Sequence, residues 1–243
     1  MSEPFSDDER QRLLAQYAEI ASLAGGLAHE IKNPLSTIAM NLELLVEDLA
    51  EAESPRERRM LSKIETVQRS CKNLENILDD FLQFARAGEL NSEPEDLNQV
   101  VSEFIDFFRP TAAGQKVEIS PHLATNLVPV QLDRILFRQV LLNLALNAQQ
   151  AMPHGGLLEL QTSLSDGQVR LDLIDSGCGM DERTMSKMFQ VFFSTKHHGS
   201  GLGLPTVKKI VEGHGGRITC QSAVGKGTQF TILLPAAQAT GIT

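Results

Sequence analysis

No stretch of this 243-residue chain approaches the roughly 18 uninterrupted apolar residues of a membrane span. Its first dozen residues (MSEPFSDDERQR) lack the basic-then-apolar order of a signal peptide. No membrane segment is therefore expected. Cysteine is scarce as well: Cys71, Cys178 and Cys220 are widely separated, odd in number and free of any CxxC spacing. Such a set supports neither a disulfide framework nor a zinc site, and reads as reduced thiols in a cytoplasmic protein. Basic residues are in deficit, with 22 Lys+Arg against 31 Asp+Glu and a formal net charge of -9. That balance argues against nucleic acid or an anionic membrane surface as the main partner. Internal repeats and low-complexity tracts are also missing. What remains, 42% hydrophobic and 22% charged residues, is ordinary for a soluble globular protein of one large domain or two modest ones.

The charge is uneven. Residues 1–90 hold 10 basic and 17 acidic side chains, net -7, whereas residues 91–243 hold 12 and 14, net -2. The periodicity changes at the same place. Apolar positions run Leu13, Tyr17, Ile20, Ala24, Leu27, Ile31, Leu35, Ile38, Leu42, Leu45, Leu49, in the steps of three and four that make a coiled-coil seam. After a turn at Glu53-Ser54-Pro55 the seam resumes at Met60, Ile64, Val67, Cys71, Leu74, Leu78, Phe81 and Ala85. Two long helices joined by a short turn form a hairpin over residues 1–88. One narrow seam per helix buries little alone, so pairing of two hairpins into a four-helix bundle, a homodimer, is expected. After Ala85 the stretch Arg86-Ala87-Gly88-Glu89-Leu90-Asn91-Ser92-Glu93-Pro94 carries turn-forming Gly, Asn, Ser and Pro, and residues 89–96 read as a linker. Beyond it lies a second domain, 97–243. Leu157–Ser163, Gln168–Asp175, Arg217–Ser222 and Thr228–Leu234 read as strands, and 132–151, 181–188 and 202–213 as helices. The fold class is α+β: a mixed sheet covered on one face by helices, preceded by the hairpin.

His29 lies two residues from the seam positions Leu27 and Ile31, so it points about 160–200° away from the seam. A histidine there is either an ordinary surface residue or a functional nucleophile. The seam breaks only here, with two consecutive steps of four through Leu27, Ile31 and Leu35, a stutter that unwinds a coiled coil locally. Pro34 removes the helical donor to the Glu30 carbonyl and predicts a kink one turn after His29. A neutral imidazole keeps a nitrogen lone pair and suits a nucleophile. Glu30 is placed to take a ring proton, and Asn33, four residues after His29, shares its face and is placed to orient a water.

Helix 132–151 is apolar almost all round, yet Gln139, Asn143, Asn147 and Gln150 recur on one face. They are either a solvated stripe or a pocket wall whose amide oxygens suit a hard cation such as Mg²⁺. In strand Gln168–Asp175, alternation puts Asp175 with the apolar Val169, Leu171 and Leu173, where a carboxylate needs a donor. Gly177 and Gly179 follow and let backbone approach a flat ligand. Gly199-Ser200-Gly201-Leu202-Gly203-Leu204 opens a helix, an anion-binding arrangement that matches neither a Walker A loop nor a dinucleotide fingerprint. The nineteen residues between Gly179 and Gly199, with Phe189, Phe192, Phe193 and Lys196, read as a lid anchored by its aromatics, its lysine reaching for phosphate. His197 and His198 read as solvent-exposed. Gly225-Lys226-Gly227-Thr228 is either a plain hairpin turn or part of the pocket.

These residues together resemble the kinase core of bacterial two-component sensor histidine kinases, over roughly residues 20–235. His29-Glu30-Ile31-Lys32-Asn33-Pro34 matches the family's H-box, Asn143 and Asn147 its N-box, and Asp175, Gly177 and Gly179 its first glycine box. Phe189–Lys196 matches the F-box, and Gly201 and Gly203 the second glycine box. The run Asn147–Met152 and the short lid ending at Lys196 are most similar to the nitrogen-regulation type. Val191 stands where a proline is usual, and Gln150 where many relatives carry a basic residue. The resemblance implies a dimeric hairpin followed by a Bergerat-type ATP-binding domain. By the same resemblance His29 is the phosphoacceptor, Glu30 its base, Asn147 a Mg²⁺ ligand, Asn143 a phosphate contact and Asp175 the partner of the adenine amino group. Gly177, Gly179, Lys196, Gly201, Gly203 and Thr228 complete the implied ATP site, and a response regulator aspartate accepts the phosphoryl group. Asn33 would align a water that dephosphorylates that regulator. An ATP-dependent clamp or scaffold, or a non-catalytic relative serving as an interaction module, are the competing readings. Input is expected to arrive through the first helix from a domain outside this chain or from another protein.

Overall fold

The computed structural model describes residues 30–49, 54–87, 90–196 and 199–237. The chain divides into two compact units, Met1–Arg86 with Lys196–Ser200, and Ala87–Thr195 with Gly201–Thr243.

The first unit is built on α1 (30–48) and α2 (Pro55–Arg86). A capping box starts α2: the Glu57 N–H donates to Ser54 Oγ at 3.2 Å, and the Ser54 N–H donates to Glu57 Oε2 at 3.0 Å. Pro55 occupies the first helical position, where its missing N–H leaves no bond unmade. Lys32 of α1 pairs with Asp79 of α2, which fixes the antiparallel register of the hairpin. The turn from Glu30 to Pro34, where the kink is expected, stays helical, and the helix continues unbroken from 30 to 48; His29 lies outside the described residues.

The apolar seam divides in two. Leu35 and Cys71 are buried, with Leu42, Leu49, Ile64 and Leu78 half-buried beside them. The half-buried Ala39, Val46 and Leu61 extend this stripe, although they stand outside the seam read from sequence. The alternate seam positions Ile31, Ile38, Leu45, Met60, Val67 and Leu74 are 40–52% exposed. The hairpin thus closes on half of its apolar residues and presents the other half.

The second unit is a five-stranded mixed sheet in the order β2-β4-β5-β7-β6, carrying helices on one face. Its strands are β2 (Val117–His122), β4 (Gly156–Ser165), β5 (Gln168–Asp175), β6 (Arg217–Ser222) and β7 (Thr228–Pro235). Only the β2–β4 pair is parallel. A two-stranded ribbon joins β1 (Glu93–Glu95) to β3 (Val130–Leu132), so residues read as linker form a strand. Helices α3 (Leu97–Gly114), α4 (Arg134–Ala151) and α6 (Gly203–Gly213) supply the apolar layer, and α5 (Glu182–Lys187) lies in the segment between β5 and α6. Asp96 caps α3 by accepting from the Asn98 N–H, and Asp133 caps α4 by accepting from the N–H groups of Ile135 and Leu136. Val169, Leu171 and Leu173 of β5 face this layer with Leu158, Leu160, Phe230 and Ile232 from neighbouring strands.

The opposite face of the sheet is polar. Its centre is Asp172, buried but held by Arg170, Gln229 and Thr231. The Arg170 guanidinium and the two neutral donors keep the Asp172 carboxyl below the usual range despite burial.

Candidate functional site

Asp175 ends β5 on the helix-covered face and is 6% exposed. Its Oδ1 accepts from the Gly177 N–H at 2.8 Å, and the Thr228 backbone also donates to it. Among the described residues it pairs with no cation. Burial is the larger influence and pushes its carboxyl above the usual range, against those two donors. Cys220, half-buried on β6, is pushed up to about 12 by burial and by the charge of Asp175. The site therefore holds a carboxylate with unused acceptor capacity beside a thiol that keeps its proton.

Close backbone packing surrounds Asp175. Gly227 has φ +81° and a Cβ added to it would lie 1.9 Å from the Asp175 carbonyl oxygen; at Gly179, φ +66°, the equivalent atom would lie 2.0 Å from the Ala223 carbonyl oxygen. Only glycine fits either position. The Gly225–Thr228 turn is thereby joined to the loop that follows Asp175 and is more than a hairpin connection. Ser222 stitches the same elements: its Oγ accepts from the Met180 N–H at 2.8 Å, donates to the Gly227 carbonyl at 2.9 Å and lies 3.0 Å from Thr228 Oγ1. The sequence does not mark Ser222, and it marks Cys220 only as a reduced thiol, not as a neighbour of Asp175. They fall in step with Ile218 on the inner face of β6, and that alternation was the available signal.

Asn143, Asn147 and Gln139 are half-buried along α4, while Gln150 at its end is exposed. Gly203, the first residue of α6, sits against Asn143, with Asn143 Oδ1 3.8 Å from the position of a Cβ. The amide stripe of α4 and the glycine-led start of α6 therefore adjoin. Asn143 and Asn147 share one face of α4, and Asn143 stands at the positive end of a neighbouring helix; amide oxygens joined by phosphate oxygens are a donor set that fits a hard cation.

In the segment between Gly179 and Gly203, Asp181 caps α5, Met188 is buried, and the Phe189 ring lies under Lys208 Nζ at 5.7 Å. Phe193 is half-buried. Phe192 departs from the expected anchoring: it has φ +64°, is 66% exposed, and holds its place through its N–H to the Gly201 carbonyl at 3.1 Å. Gly201 permits this because a Cβ there would meet Phe192 backbone at 2.5 Å. Lys196 is exposed. His197 and His198 lie outside the described residues, as does His29. Glu30 and Asn33, in the first described turn of α1, are both exposed.

Comparison with known proteins places this geometry. Residues 132–238 match the family described as histidine kinase-, DNA gyrase B- and HSP90-like ATPases. Residues 19–90 match the His Kinase A phospho-acceptor domain. The signal transduction histidine-protein kinase AtoS of Escherichia coli K12 is 33% identical over 93% of this chain and 37% of its own length. The sensor histidine kinase ZraS of Klebsiella oxytoca is 35% identical over 89% of this chain and 46% of its own. The chain thus spans less than half the length of these curated relatives. Full-length ShkA, solved in complex with AMPPNP, superimposes with a TM-score of 0.70 at 28% identity, covering 90% of this chain and 46% of that one. The phospho-acceptor domain and the ATPase domain are thus present in that order, the two-domain arrangement of the histidine kinases to which the chain is similar.

Proposed function

We propose that this chain is an ATP-dependent protein-histidine autokinase that phosphorylates His29 and passes the phosphoryl group to an aspartate of a response regulator. The observation that carries the reading is Asp175: a buried carboxylate without a cation, backed by glycine-only contacts from two loops, suits the exocyclic amine of a planar base. Asn143 and Asn147, with the N-terminus of α6, would hold the triphosphate end. Mg²⁺, held by Asn147, would neutralise phosphate charge and leave the γ-phosphorus open to attack. Thr228, Gly177 and Gly179 would shape the base pocket, Gly201 and Gly203 would lead into the helix terminus at the phosphate end, and Lys196 would reach for phosphate.

The transfer balances simply. A ring nitrogen of His29 bonds to the γ-phosphorus, the bond from that phosphorus to the β–γ bridging oxygen breaks, and ADP leaves with the electron pair. Glu30 takes the imidazole proton. Asn33 would orient a water for the reverse regulatory task, dephosphorylation of the partner regulator. We place the chain with the nitrogen-regulation type on Asn147–Met152 and the short lid, working as a homodimer through the exposed half of the hairpin seam. Its three free cysteines suit the cytoplasm.

Incubation with γ-labelled ATP and Mg²⁺ tests the reading. The expected product is an acid-labile, alkali-stable label on the chain that disappears in His29→Gln. Steady ATP hydrolysis with no phosphoprotein would replace the autokinase with a clamp or scaffold.

A further inference from the structure

The segment between α2 and α3 is bound into the second unit along most of its described length. Ala87 is fully buried in that unit's core, and Leu90 lies against Gly213 at the end of α6, with its Cδ1 2.8 Å from the position of a Cβ on that glycine. The Asn91 backbone N–H donates to Asp133 Oδ2 at 2.9 Å. Then β1 pairs with β3, and Glu95 forms an ion pair with Arg134 at 3.1 Å. The node of this strap is Asp133. Its Oδ1 caps α4, its Oδ2 receives the strap, and its own N–H donates to Nε2 of His214, at the end of α6, at 2.8 Å. His214 is buried, and its Nδ1 lies 2.7 Å from the Ile210 carbonyl, so the ring is the neutral tautomer with Nδ1–H donating and Nε2 accepting.

The two helices joined at this node are the ones that adjoin at Asn143 and Gly203. Asp133 precedes Asn143 by ten residues on α4, and His214 follows Gly203 by eleven along α6. Fastening one end of the α4–α6 pair therefore constrains the other. We propose that Asn91, Asp133 and His214 form a positioning relay, in which docking of the strap that follows α2 sets the register of α4 against α6 and so the affinity for nucleotide. This rests on the ATP-site reading above. A disturbance arriving along α2 would then act on the nucleotide site through the amide of Asn91, without any contact of α2 with nucleotide being required.

The bond from residue 91 is a backbone donor, and that makes the test selective. Asn91→Pro removes it, whereas Asn91→Ala keeps it. Asp133→Asn keeps the helix cap through Oδ1 and replaces the oxygen that receives the strap, and it serves where the proline variant does not fold. Titration of the full chain with a Mg²⁺ complex of a non-hydrolysable ATP analogue should give about fivefold weaker binding in Asn91→Pro and Asp133→Asn, and wild-type affinity in Asn91→Ala. Coupling is reciprocal, so saturating analogue should slow hydrogen exchange at the amides of Leu90, Asn91, Ser92, Glu93 and Glu95 in the wild type, an effect that a purely structural strap would not show. Equal affinity in all variants, or strap amides indifferent to the analogue, overturns the relay while leaving the ATP site standing. A wild-type chain that binds no analogue overturns both.

Discussion

Gly227 lies so close behind Asp175 that a single methyl group would stand 1.9 Å from the Asp175 carbonyl oxygen. The contact joins the last hairpin to the loop after β5 and fixes the carboxylate relative to the turn. Gly227→Ala forces either the hairpin or Asp175 to move, and adds the strain of φ +81° on a residue with a Cβ. Nucleotide affinity should fall at least tenfold while the far-ultraviolet circular dichroism stays near wild type. Unchanged affinity by calorimetric titration would mean that the turn is only a connection. The same substitution at Gly225, φ +75° with nothing within 4 Å, controls for backbone strain alone.

Asp175 makes opposing demands on stability and binding. Burial raises its carboxyl above the ordinary aspartate value, so the folded chain holds a proton there more readily than the unfolded chain does. Free of ligand, the folded state is therefore favoured by protonation and loses that advantage as pH rises through the raised value. Binding to an amine donor goes the other way, because only the ionised form accepts freely with both oxygens. Affinity for an adenine nucleotide should fall as pH is lowered through the raised carboxyl value, and Asp175→Asn should weaken it about 10- to 100-fold at neutral pH. Calorimetric titrations across pH 4–8 check both. An inosine nucleotide, which presents a carbonyl in place of the amine, should bind the wild type worse by a similar factor.

His214 gives the second pH dependence. Burial lowers its basicity against the pull of the Ile210 carbonyl and of Asp133. The unfolded chain accordingly binds the proton first. The stability that the neutral ring contributes is complete above the ordinary histidine value of 6.5 and is lost as pH falls through the lower folded value. His214→Phe, similar in shape, leaves the Asp133 N–H and the Ile210 carbonyl without these partners. The expected cost is about 1–3 kcal/mol at pH 7, with a flatter loss of stability toward acid. Urea unfolding at pH 5 and pH 7.5 measures it, and identical curves for the two chains would show that the ring does no more than fill space.

Much of the second unit was legible because its strands carry strict alternation and its loops carry glycine. Strands β5 and β6 fall where alternation puts them, and Asp175 stands among apolar neighbours as the pattern requires. The stretch from residue 97 to 131 was not legible. In α3 a proline at 110 lies inside a run that stays helical, and β2 and β3 are short pieces whose pairing is with strands distant in sequence. The Asp133–His214 bond spans 81 residues and leaves no local trace. In the hairpin, periodicity located the apolar residues but could not apportion them between two partners, because steps of three and four serve a helix's own hairpin neighbour and a second hairpin equally well.

That apportionment is the basis for the last prediction. Ile38, Leu45, Val67 and Leu74 are exposed at seam positions, whereas Leu35 and Cys71, one seam step away, are buried. If two hairpins close a four-helix bundle, the exposed set fills its shared core and the buried set holds each hairpin together. A charge placed at the first set must then be desolvated only on dimerisation, and one placed at the second must be desolvated on folding itself. Val67→Glu and Leu45→Glu should yield a folded monomer by analytical ultracentrifugation at micromolar concentration. Leu35→Glu should instead lower the melting temperature of the helical signal. A wild-type chain that is monomeric under those conditions, or a Val67→Glu chain that remains dimeric, would show that the exposed stripe belongs to another partner.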